Sequence, residues 1–132
     1  MTRAAPVLAL LAACSPCEHR VVTVGPLEVC AEVADTEAAR AAGLTGRAPL
    51  DDDEGLLLDF PVTDEICIVN EGVGFSIDAI YIGPDDRVSA VEREIPRGDP
   101  TPRCIDGTQR VLEVAAGVSQ GIAPGSPFAF LE

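Results

Sequence analysis

The residues with the most chemical potential lie near the amino terminus, where Cys14-Ser15-Pro16-Cys17 is followed by Glu18 and His19. Two thiols at this spacing with an imidazole close by form a redox couple or half of a soft-metal site, since thiolate and imidazole suit zinc or copper. The intervening Glu18 rules out the CxxCH pattern of haem attachment. A second constellation centres on Asp78, which interrupts Ile77, Ala79, Ile80 and Ile82. A carboxylate among aliphatics is costly to bury unless it is paired or hydrogen-bonded. With Glu71 it would make a carboxylate pair for acid/base work or a cation site. The favoured alternative is structural: Asp78 accepts backbone N–H bonds or pairs with Arg47, Arg87 or Arg110. Asp51-Asp52-Asp53-Glu54 presents oxygen ligands, yet it lacks the alternating spacing and glycine of an EF-hand loop and reads as a solvated charged loop.

What is missing weighs against catalysis. His19 is the only histidine, and a catalytic base needs a fixed place within about 3 Å of its nucleophile, which a terminal segment does not supply. There is no Gly-rich phosphate loop and no GxSxG elbow. An enzyme is therefore the less favoured reading, and no cofactor or metal is expected. Nine Arg and no Lys face 22 acidic residues, for a net charge of -13. Nucleic acid and an anionic membrane would both repel such a surface. It also suits a salt-adapted host, bacterial or archaeal.

The first residues read as an address. Arg3 and an apolar run from Ala4 to Ala13 match a secretory signal, being far shorter than the roughly 20 residues that span a bilayer. Leu11-Ala12-Ala13-Cys14 resembles a bacterial lipobox, in which the cysteine is acylated after cleavage. Residues 1–13 are thus expected to be a signal peptide, 14–19 a lipidated tether and 20–132 one domain. Acyl chains on Cys14 would then hold the chain at the membrane, facing the periplasm or cell surface. Each buried methylene contributes about 0.8 kcal/mol, so no basic patch is needed. With Cys14 acylated, Cys17, Cys30, Cys67 and Cys104 remain as an even set in an oxidising compartment. Three pairings are open. Alternation with Glu28 and Glu32 turns Cys30 away from the core face and makes Cys17 with Cys30, and hence Cys67 with Cys104, a reasonable assignment.

The elements that must position these groups are mainly strands. Arg20 to Val24 and Leu27 to Val33 flank Gly25-Pro26, the second with a period of two. Asp35-Thr36 starts a short helix near 36–42, which Gly43 ends. Further strands are expected at 55–60, ended by Pro61, and at 65–70, 75–82, 87–95, 110–115 and 127–131. Gly83-Pro84-Asp85-Asp86 forms a hairpin turn, and 97–107 is the longest irregular stretch. Seven or eight short strands and one helix predict a single compact β-sandwich or barrel.

The order of these motifs resembles the family called domain of unknown function 192. The resemblance rests on Val33-Ala34-Asp35-Thr36-Glu37, Arg40, Gly43-Leu44, Gly46-Arg47, Leu50 and Asp53-Glu54-Gly55-Leu56-Leu57. It continues through Phe60-Pro61, Phe75-Ser76-Ile77-Asp78, Tyr81-Ile82, Asp85-Asp86-Arg87-Val88, Val111 to Gly117, Gly121-Ile122 and Gly125. The resemblance implies a jelly-roll-like β-sandwich and no activity or cofactor. Members usually carry an aromatic-Trp-Met-Lys-Asn run before the central strand, where this chain has Ile68-Val69-Asn70-Glu71-Gly72. Acidic Glu71 at the Lys position puts in doubt any anionic ligand that the Lys would serve. Taken together, the expectation is a monomeric, lipid-anchored binding or interaction module whose partner is an envelope protein, a glycan or a small ligand. The alternative is a small enzyme or metal-binding protein using Asp78 and Glu71, or the Cys14, Cys17 and His19 cluster.

Overall fold

The structure is a computed structural model that describes residues 16–131. Its elements are β1 (Arg20–Val24), β2 (Leu27–Ala34), α1 (Glu37–Ala42), β3 (Glu54–Ile68), β4 (Ile77–Ile82), β5 (Val88–Ile95), β6 (Arg103–Ala115) and β7 (Phe128–Phe130). The seven strands form one sheet in the order β5-β4-β6-β3-β2-β1-β7. β1 turns directly into β2 with Val24 opposite Leu27, which the left-handed Gly25 (φ 54°) permits. β2 and β3 run parallel, so a crossover must join them, and α1 lies within it.

α1 forms for local reasons. Thr36 Oγ1 accepts the Ala39 N–H at 3.1 Å, Glu37 and Arg40 match the two ends of the helix dipole, and Gly43 (φ 49°) ends it. The next residue, Leu44, is buried and ties the end of the crossover to the sheet.

Two strands are longer than expected. β3 continues through Pro61 for 15 residues, and β6 begins at Arg103 inside the stretch expected to be irregular. Proline is tolerated because the β3–β6 register breaks between Asp59 and Asp64, so Pro61 occupies no ladder position. Beyond the break, Ile66 pairs with Ile105 and Cys67 with Cys104.

These long strands are also why the expected two-layer sandwich takes another form. β3 and β6 pair on both sides of the register break, from Gly55–Val114 to Ile68–Arg103, and one sheet curls into a half-barrel. At its ends, Val88 N–H bonds Ser126 O and Phe128 N–H bonds Asp86 O, both at 2.9 Å, beside an Arg87–Pro127 bridge. Every strand contributes to the inner cluster, which includes Val22, Val29, Leu57, Ile80, Val88, Leu112 and Phe128. A second cluster covers the outer face, with Leu44, Leu56, Ile68, Ile77, Tyr81 and Val111 among its members.

Candidate functional site

β6 reads Val111-Leu112-Glu113-Val114, and alternation decides what each residue meets. Leu112 and Val114 enter the inner cluster, while Val111 belongs to the outer one. Glu113 shares the Val111 face, between Leu56 of β3 and Ala79 of β4 in register. It is 5% exposed, and its carboxyl makes no hydrogen bond to any described residue. Burial alone pushes this carboxyl up to about 7.

The surface Glu113 retains opens into a cleft of about 790 Å³, within the several-hundred Å³ scale of small-ligand sites. α1 and Thr45 form one wall, and the 66–73 segment forms the other. Leu44, Leu58, Ile66, Ile68 and Val73 supply apolar surface. Gly72, left-handed at φ 79°, lets the far wall approach Thr45: a Cβ there would lie 3.2 Å from the Thr45 methyl.

Asn70 is the second polar group bordering the cleft, and it is fully buried. Its Nδ2 donates to the carbonyls of Phe75 and Pro96, each at 3.0 Å, which fixes the amide orientation. Its Oδ1 has no donor among the described residues and no accessible surface on the cleft. Glu37, Glu65 and Glu71 add carboxylates along the cleft. Arg40, the one cation among the described residues of the lining, donates from Nη1 to Asp59 O at 2.9 Å and stacks over the Phe60 ring at 5.1 Å.

The residues singled out in the sequence are placed differently. Asp78 is buried on the inner face with Val114 as its register partner, so the sheet separates it from Glu71 and the cleft. Its Oδ1 accepts the Glu94 N–H at 2.8 Å. Its Oδ2 accepts from Gly117 N–H, Ser119 N–H and Ser119 Oγ at 3.0, 3.1 and 2.6 Å. No acid/base pair with Glu71 forms. None of the three arginines reaches Asp78. Arg47 grips Glu32 through two bonds of 2.7 and 2.9 Å, holding that carboxyl below its ordinary range, while Arg87 donates to Gly125 O. Arg110 bridges Asp59 and Asp86 at 3.1 and 2.9 Å.

The cysteines close as Cys17–Cys30 and Cys67–Cys104. Cys17 is thus committed, which removes it from the CxxC and soft-metal reading with His19. Cys14, the signal peptide and the lipobox lie outside the described residues. Cys67 borders the cleft, so the second bridge holds one of its walls. Glu113 and Asn70 were not among the expected site residues. The criterion that singles out Asp78, a carboxylate inside an apolar run, applies equally to Glu113 between Leu112 and Val114.

No curated protein matches this sequence. A protein of unknown function from Novosphingobium aromaticivorans is similar in structure, with a TM-score of 0.80, 29% identity and 83% of each chain covered. A candidate transcription regulator from Sinorhizobium meliloti has a TM-score of 0.79 at 20% identity, over 84% of this chain and 92% of that one; this likeness concerns the fold alone. Residues 20–130, from β1 to the end of β7, match the domain of unknown function 192, described as an uncharacterized ACR, and the chain belongs to that family.

Proposed function

We propose that the protein is an exported, lipid-anchored module that binds a small ligand in the cleft above Glu113 and has no turnover of its own. The observation that carries the binding reading is a cleft of ligand size bordered by a buried carboxyl, Glu113, that finds no donor among the described residues. Buried polar groups are nearly always satisfied in a finished fold, so an unmatched acceptor at a cleft marks where a further donor belongs. A small molecule fits this volume better than a glycan chain or an envelope protein does. Export draws support from the two disulfides, which persist in oxidising compartments, and the lipid anchor from the lipobox-like residues before Cys14. The regulator role attached to the Sinorhizobium neighbour is not adopted, because a net charge of -13 opposes association with DNA.

A fragment titration followed by amide NMR tests the binding reading. Saturable shifts are expected at Leu58, Ile68 and Gly72, and shifts confined to other surfaces would overturn it. The anchor is tested by the mass of protein extracted from membranes, which should carry the acyl chains on Cys14. A free, unacylated Cys14 there refutes the anchor and leaves the cleft reading standing.

A further inference from the structure

Resting on the cleft as a small-ligand site, we propose that its ligand is a small organic ammonium compound, a protonated amine on an apolar body, whose charged N–H is taken by Glu113. The balance of donors and acceptors sets the charge of the ligand. Glu113 is an acceptor that no described residue satisfies, and Glu37, Glu65 and Glu71 add negative potential around it. The side-chain donors in the lining are Arg40, Thr45 and the Asn70 amide. Arg40 is held between Asp59 O and Phe60, and both Asn70 N–H groups go to carbonyls. An anion entering this cleft would meet four carboxyl groups with one guanidinium, tethered to Asp59 O, to offset them. A neutral polyol brings donors but no charge to answer those carboxyl groups.

An ammonium group is donor-only, with three N–H bonds and a full charge. It matches a floor whose unmatched group is the Glu113 carboxyl, and the pair it makes with a carboxylate is the stronger, charge-assisted kind. The apolar body follows from the walls. Leu44, Leu58, Ile66, Ile68 and Val73 would offer a hydrated metal ion nothing, and no cluster of three or more His, Cys, Asp or Glu suited to a metal occurs among the described residues. An alkyl or aryl group attached to the nitrogen buries that surface instead.

A charge series of matched shape decides this. The full chain is titrated at about pH 8 with phenethylammonium, 2-phenylethanol and 3-phenylpropanoate, followed by amide NMR; at that pH a carboxyl near 7 is mostly ionised. Phenethylammonium is expected to shift Leu58, Ile68 and Gly72 and to bind roughly tenfold tighter than the alcohol, the scale of one charge-assisted bond. Phenylpropanoate is expected to leave those amides unmoved. Glu113→Gln should reduce the ammonium probe to the level of the alcohol. Exposed Glu71→Gln, which leaves the core intact, should weaken it by roughly twofold. Equal or tighter binding of the alcohol or of phenylpropanoate overturns the ammonium assignment and leaves the cleft as a binding site. Silence of the cleft amides with all three probes overturns the cleft reading as well.

Discussion

Glu113 sets the chemistry at the residue scale, because its carboxyl is buried in the sheet with no partner among the described residues. Arg40 and Glu37 of α1, Glu65 of β3, Glu71 of the 66–73 wall, Tyr81 of β4, Glu92 of β5 and Glu32 of β2 are among the titratable groups on its side of the sheet. Burial, with Glu92 and Glu113 adding, pushes the Tyr81 hydroxyl up, and it stays a donor to Arg103 O at 2.7 Å. The Glu113 carboxyl rises from its ordinary 4.5 to about 7. Between those values the native state holds a proton that the unfolded chain has lost. Its contribution to stability is therefore largest below 4.5, falls by roughly 3 kcal/mol across the window and levels off above it. Glu113→Gln should remove that fall, and at about pH 8 the variant should be the more stable protein by a similar amount. Paired urea melts of the two proteins across pH measure the difference; parallel curves would refute the buried-acid assignment.

Asp78 makes the opposite residue-scale case, a buried carboxylate whose oxygens are fully used. Its bond to Glu94 N–H is made where Glu94 adopts a left-handed backbone (φ 54°), so the carboxylate helps hold an uncommon conformation. Asp78→Ala would strand several buried donors at about 1–3 kcal/mol each, for a loss of roughly 3 kcal/mol or more. Denaturant midpoints test this, and a loss under about 1 kcal/mol would show the donors finding other partners.

At the scale of elements, the two crossings that shape the cleft are the α1 connection and the distal halves of β3 and β6. Thr36→Ala removes the N-cap bond of a six-residue helix and should cost about 1 kcal/mol. The Cys67–Cys104 bridge joins register partners beyond the register break, which spans the exposed run from Pro61 to Glu65. Replacing both cysteines by alanine should cost about 2–4 kcal/mol and move the amides of Ile66 and Ile68. The corresponding change at Cys17–Cys30, which lies away from the cleft, should cost a similar amount and leave those amides in place. Amide spectra of the two double variants separate these outcomes.

For the whole molecule, a net charge of -13 on a small domain means that folding gathers like charges. Screening at about 1 M salt, where the Debye length is about 3 Å, should therefore raise stability, with a melting temperature several degrees higher than at about 0.05 M. A melting point that stays level or falls with salt would place the stability elsewhere. The same charge bars electrostatic attachment to an anionic surface, and no helix of the described residues is long and apolar enough to cross a membrane. The proposed acyl chains on Cys14 would give a route to a membrane that does not depend on charge.

The sequence by itself determined what is local or periodic: the β1–β2 hairpin at Gly25, the Thr36-capped helix, the alternation that turns Cys30 off the core face, and the mainly β class. It also marked Asp78 as a carboxylate that had to be satisfied. Tertiary structure decided the rest. Whether Pro61 ends a strand depends on a register break with β6, and whether strands split into two layers depends on β3 and β6 pairing across the whole molecule. Asp78 and Glu113 look alike as letters, each a carboxylate in an apolar run. Strand parity sends one to a saturated cradle inside the curl and the other to an open cleft outside it, and parity acquires that meaning only when the sheet has curled.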